Sequence, residues 1–174
     1  MVAVSEDESH VWAADALSGT VTDIDLRNGN ALKQIDIGGV PMGMVLSQSG
    51  QRLFATTHAD KLAVIDTAKD RLLNSIPIPG QPARVTWTPD HKYLLIATIG
   101  AGDVVIVDAQ TEKAIHRFHA GRGAEGIVAD PQGAFGYVSA QQDNKVVRFS
   151  LKTWEASGVI RTGAMPDSLA LLRR

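Results

Sequence analysis

The chain has 174 residues, of which 44% are hydrophobic and 21% charged, with a formal net charge of −2. That balance lacks the basic stripe of a nucleic-acid binder and the polybasic face that meets anionic membranes, and no apolar run approaches the roughly 20 residues a membrane span needs. There is no cysteine, which removes disulfides, thiolate metal sites and a thiol nucleophile.

The opening MVAVSEDESH shows no basic segment followed by an apolar one, so no signal peptide is expected here. In chain order, the first unit (1–41) reads as four short strands: VAVS, then after the turn SEDE the strand VWAA, then TVTDID, and a fourth ending at IDIGG. The second unit (42–82) repeats the plan with MVLS, SQSG, LFATT, KLAVID and IPIPG. The third (83–124) reads VTWT, TPDH, LLIAT, DVVIVD and FHAGR, and the fourth (125–166) IVAD, DPQG, GYVSA, KVVRFS and IRTGA. The tail DSLALLRR (167–174) opens a fifth unit, because Leu169 falls at the position of Val2, Met44, Val85 and Ile127.

Three sets of markers keep this period. Ser5, Ser47, Thr88 and Asp130 are spaced 42, 41 and 42 residues apart; Asp25, Asp66, Asp108 and Ser150 are spaced 41, 42 and 42. Pro41, Pro82, Ala124 and Pro166 form the third set. A fixed period of this length marks a repeat architecture. No window keeps helical periodicity, whereas LAVI and VVIV in the third strands are apolar on both faces, as a strand covered on both sides must be. Four-stranded antiparallel sheets stacked face to face satisfy that demand. The expected fold is therefore all-β, a β-propeller of four blades of about 42 residues each, complete or part of a larger ring.

The pattern in LSQSGQRLFATT, KLAVIDTAKD, IPIPGQP and DPQGAFGYVSAQQDNKVV resembles the YVTN-type β-propeller repeat across essentially the whole chain. The resemblance implies a ring of about seven blades. Four blades would then be a piece of a longer protein, or would be completed by a second copy in a homo-oligomer. It also implies a periplasmic or cell-surface setting, and a kinship with heme d1 and quinoprotein propellers of periplasmic oxidoreductases.

Propeller ligands gather where links between blades meet the loops after each second strand. Here the links are GGVPMG, PGQPAR, GRGAEG and GAMPDS, and the loops DALSG, THAD, IGAGD and QQDN. From them His58, Asp60, Arg84, Arg122, Glu125, Asp143 and Asp167 are the candidate ligand-binding residues, with Asp15 and Asp103 beside them. His58 and Arg84 depart from their counterparts in other units, and such a pair could hold an anion or ligate a metal or heme. His116 and His119 point to opposite faces at strand spacing, so no metal site is expected. His91 takes a turn position that Gly50 and Gly133 hold, which calls for positive φ. DIDLRNGN lacks the Gly and Glu placement of a calcium loop, and Asp25 is read with Asp66 and Asp108 as a turn cap. Trp12 and Trp87 read as core filler and Trp154 as a packed outer turn. Asp23 and Arg148 replace apolar Val64 and Ile106 and read as surface or interface polarity. No catalytic motif and no cofactor is expected. The reading is a non-enzymatic scaffold that binds a protein, peptide or small ligand on its loop face. Its alternatives are an accessory or fragment of a heme d1-like or quinoprotein-like oxidoreductase, and a structural array on a cell surface.

Overall fold

A computed structural model describes residues 1–172. It contains four four-stranded antiparallel sheets, each in simple up-and-down order. Blade 1 holds β1 (Val2–Val4), β2 (His10–Asp15), β3 (Thr20–Asp25) and β4 (Asn30–Asp36). Blade 2 holds β5 (Pro41–Leu46), β6 (Arg52–Thr57), β7 (Lys61–Asp66) and β8 (Arg71–Pro77). Blade 3 holds β9 (Pro82–Trp87), β10 (Tyr93–Thr98), β11 (Asp103–Asp108) and β12 (Lys113–His119). Blade 4 holds β13 (Ala124–Ala129), β14 (Phe135–Ala140), β15 (Lys145–Ser150) and β16 (Ala156–Arg161). Blades 1 and 2 form one compact unit, Met1–Pro77, and blades 3 and 4 a second that begins at Ile78.

In the first unit, Trp12, Val21, Ile35 and Ile37 of blade 1 pack on Met44, Leu53, Ala55, Ala63 and Ile65 of blade 2. In the second, Leu95, Ala97, Val104 and Ile106 of blade 3 meet Ile127, Val138, Val147 and Phe149 of blade 4. Each buried Val, Leu, Ile, Phe or Met side chain among these contributes about 1.5–3 kcal/mol. The two-faced third strands behave as their composition requires: Leu62, Ala63, Val64 and Ile65 are all fully buried. Gly136 makes room for Phe149, whose ring occupies the space a Cβ there would need.

Local chemistry ends each strand. In the turn after the first strand, residue φ is positive at Glu8 (54°), Gly50 (70°), His91 (54°) and Gly133 (76°), so His91 adopts the conformation expected of it. Asp66 Oδ1 accepts the amides of Ala68 and Lys69, both at 3.1 Å, and Asp108 Oδ1 those of Gln110 and Thr111. Asp25 Oδ1 likewise accepts the Arg27 amide, and the carboxylate also binds the Arg27 guanidinium. Ser150 Oγ replaces the carboxylate in blade 4.

Strand starts differ from the sequence reading. Pro41, Pro82 and Ala124 belong to β5, β9 and β13, opposite Thr57, Thr98 and Ala140, with a register break just after each. A proline can open a strand because its missing N–H falls outside the regular ladder. Trp87 is half-buried against His91 at 5.6 Å and is no core residue. Trp154 is packed, edge-on to Tyr93 at 5.3 Å. Residues 162–172 form no strand, although Ser139 Oγ donates to the backbone oxygen of Asp167 at 2.7 Å; the rest of the tail, residues 173 and 174, lies outside the described residues.

Candidate functional site

The loop face is built by stitching. Within the first unit, the Ile37 and Gly38 amides donate to Gly19 O on one side of the link, and the His58 amide donates to Val40 O on the other. Within the second, Ala120 and Gly121 donate to Gly102 O, while Gln141 and Gln142 donate to Gly123 O and Arg122 O. The close approach needs glycine: a Cβ on Gly121 would come within 2.8 Å of Asp143 Oδ2 and 2.9 Å of the Ala140 methyl. Side chains on these loops therefore stand on a fixed frame.

Two charged groups occupy the frame in the second unit. Arg84 and Glu125 sit in the register breaks of β9 and β13, and Arg84 Nη2 lies 4.0 Å from Glu125 Oε1. Glu125 is buried, and its other oxygen accepts from Gln141 Nε2, at the head of the 3-10 turn Gln141–Asp143. Beside them, Arg122 donates from Nε to Asp143 Oδ1 at 2.8 Å and from its backbone amide to Oδ2 at 3.0 Å. Arg122 Nη2 donates to Gln142 O, and Lys145 Nζ stands 3.5 Å from Asp143. The Arg122 side chain bond, then its backbone amide, holds the Asp143 carboxyl below the usual carboxylate range. The Arg122 side chain is nevertheless 70% exposed. A guanidinium anchored on one edge and open on the other can take a carboxylate or phosphate in a bidentate fork.

The other candidates fall elsewhere. His58 and Asp60 lie on the blade 2 loop of the first unit, Asp60 exposed at φ 58° and His58 half-buried with Nε2 meeting no hydrogen-bond partner. Asp15 accepts from Thr20 and Thr22 of its own blade. Asp103 binds Arg117 and His119, at 3.0 and 2.9 Å, in an exposed patch at the end of β11 and β12. Asp167 brings a backbone oxygen and leaves its side chain exposed. Among the described residues no group of three or more His, Asp or Glu is placed to hold a metal ion.

Sequence reasoning missed Gln141 and Lys145, which complete the two charged groups. It also missed that Asp23 is 1% exposed and carries His10 on both oxygens, at 2.9 and 3.1 Å. The one available signal for the latter was a charged residue at a strand position that is apolar in blades 2 and 3.

No protein-family model matches the chain. It is 19% identical over 150 residues to Antigen Lp49 of Leptospira interrogans serogroup Icterohaemorrhagiae serovar copenhageni (strain Fiocruz L1-130), an alignment spanning 82% of this chain and 33% of that protein. Among solved structures it is similar to Kuenenia stuttgartiensis hydrazine synthase, with a TM-score of 0.85 at 15% identity over 91% of this chain and 47% of that one. It is also similar to the dihydro-heme d1 dehydrogenase NirN in complex with DHE, with a TM-score of 0.77 at 17% identity over 92% and 37%. The chain thus spans about a third of the curated relative and less than half of each solved chain. Likeness at such identities speaks for the fold, and together with the four antiparallel blades it makes this chain an all-β, β-propeller protein.

Proposed function

We propose that this chain is a non-enzymatic binding module whose loop face docks a partner presenting an anionic group, a carboxylate or phosphate on a peptide, protein or small ligand. The observation that carries the reading is Arg122: exposed for 70% of its side chain, yet fixed by Asp143, Gln142 and its own backbone. A preorganised cation spends little conformational entropy on capture, which is where long exposed arginines usually lose affinity. Arg84, paired with the buried Glu125, stands in the neighbouring bulge and holds the frame. The test is amide chemical-shift mapping of the full chain with an array of acidic and phosphorylated peptides. Shifts confined to residues 120–126 and 140–145 support the reading; shifts spread elsewhere, or none with any peptide, refute it.

A second reading draws on the names of the two solved neighbours, hydrazine synthase and dihydro-heme d1 dehydrogenase. On it, this chain is an accessory or fragment of an oxidoreductase and carries a noncovalent cofactor. Its specific support is His58, whose ring nitrogen is buried without a partner. A visible absorption band in the purified chain that disappears in His58→Ala would favour it, and a colourless protein would favour the binding module.

A further inference from the structure

At the end of blades 1 and 2 opposite the loop face, the turns that follow β1 and β5 flank a cleft of about 510 Å³. Its volume falls within the ~300–1,000 Å³ in which proteins hold small ligands. Val4, Asp7, His10 and Trp12 line it from blade 1, and Leu46 and Ser47 from blade 2. The corresponding cleft of blades 3 and 4, about 350 Å³, is walled instead by Tyr93, Leu151 and Trp154.

Three polar groups of the first cleft have hydrogen-bonding capacity left over. Trp12 is 3% exposed, and its indole Nε1, a donor only, is buried and meets no acceptor. His10 is fixed by Asp23, whose carboxylate takes the Nδ1 hydrogen at 2.9 Å, so that Nε2 of the neutral ring accepts. The His10 ring stacks on that of Trp12, centroids 5.7 Å apart. Asp7 Oδ1 is filled by the Ser5 and Ser9 hydroxyls and the Ser9 amide, whereas Oδ2 meets only the Ser9 hydroxyl that Oδ1 shares. Asp23 itself is 1% exposed, at a strand position that Val64 and Ile106 fill in blades 2 and 3. Burying a carboxylate there costs desolvation. In return it holds one ring nitrogen of His10 and leaves the other for a ligand.

We propose that this cleft binds a saccharide through the sugar's hydroxyl groups. Trp12 needs an acceptor, whereas His10 Nε2 and Asp7 Oδ2 need donors. A hydroxyl serves both, because it donates one hydrogen and accepts on two lone pairs. An ammonium or guanidinium cannot accept from Trp12, and an anion cannot donate to Asp7. Among the described residues no lysine or arginine lines the cleft, which also disfavours an anion. Val4, 48% exposed, and Leu46 supply an apolar wall for the C–H groups of a sugar ring. The site lies in the first unit and is independent of the anion docking proposed for Arg122 in the second.

The test is titration of the full chain with glucose, galactose, mannose and N-acetylglucosamine, followed by NMR through the indole N–H signals of the three tryptophans and the backbone amides. Trp12→Phe assigns the Trp12 indole signal by its disappearance. At least one sugar should saturably shift that signal and the amides of residues 5–10 and 47–51, leaving the Trp154 signal in place. Asp7→Asn, which keeps one oxygen for the turn, should weaken that binding about tenfold, and Trp12→Phe, which keeps a ring without the N–H, about fivefold. Should Trp12→Phe fold poorly, Asp7→Asn in its exposed turn still decides. No saturable shift with any of the four sugars, shifts at Trp154 instead, or unchanged affinity in Asp7→Asn would overturn the proposal. Tetramethylammonium or acetate shifting these residues where the sugars do not would overturn it as well.

Discussion

Arg84 and Glu125 face each other 4.0 Å apart across the seam between blades 3 and 4, each raised out of the ladder by the register break of its own first strand. The break is what brings them together. In a regular strand, residues at these positions would alternate into and out of the seam, whereas a bulge re-aims the side chain. Because Glu125 is buried and also accepts from Gln141, the pair ties β9, β13 and the 140–145 loop into one support for Arg122.

Removing the carboxylate should therefore damage the support more than neutralising it. Glu125→Ala removes the acceptor of Gln141 Nε2 and the carboxylate that faces Arg84 at 4.0 Å, and costs about 1–3 kcal/mol. Glu125→Gln keeps an acceptor oxygen and costs about half of that. Urea unfolding of the two variants beside the wild type reads both; equal stability of all three would show that the pair supports nothing.

Gly136→Ala puts a methyl where the Phe149 ring lies, within the buried seam of the second unit. Overpacking of this kind costs about 1–3 kcal/mol. The same change at Gly133, where a Cβ meets nothing within 4 Å but φ is 76°, tests turn strain without a clash. Thermal unfolding should rank Gly136→Ala as the worse of the two.

Acid should weaken the first unit through the turn carboxyls of Asp7 and Asp25. The Asp7 carboxyl is held at about 2 chiefly by the Ser5 hydroxyl, then by Ser9, and that of Asp25 at about 2 chiefly by the Arg27 guanidinium. A carboxyl whose folded value is lowered contributes stability above its unfolded value, and that contribution is lost as pH falls through the folded one. Stability from these groups thus disappears between 3.8 and about 2. Circular dichroism across an acid titration should show Asp25→Asn losing less stability over that window than the wild type.

Trp154→Asp tests whether the two seams are interchangeable in chemistry. The substitution places the aspartate that blade 2 carries at this turn position, Asp70, against the ring of Tyr93. Burying that unpaired carboxyl should cost more than Trp154→Ala, by about 1 kcal/mol or more, and the excess should vanish in acid. Chemical denaturation at neutral and at low pH makes the comparison.

Much of this architecture was legible because it repeats. The apolar runs Leu62–Ile65 and Val104–Val107 demanded cover on both faces, and the structure buries them. Asp66 and Asp108 announced their turns by recurring, and His91 announced positive φ by standing where glycine stands twice. The candidate site was only half legible. Arg122 and Asp143 could be placed on loops, whereas Arg84 and Glu125 lie in β9 and β13 and meet through register breaks that no local residue pattern marks. His10 and Asp23 lie 13 residues apart and meet only through the pairing of β2 with β3. Pro41 and Pro82 read as parts of the Gly- and Pro-rich links, whereas they open β5 and β9.

The central claim is that the Arg122 guanidinium is a fixed anion-docking point on the loop face. The direct measurement is the dissociation constant of the tightest anionic peptide for the wild type, for Arg122→Ala and for Arg122→Lys, each checked for unchanged unfolding. The account predicts a loss of about tenfold or more in Arg122→Ala, consistent with one charge-assisted bidentate contact, and only partial recovery in Arg122→Lys. Equal affinity in all three proteins would contradict it.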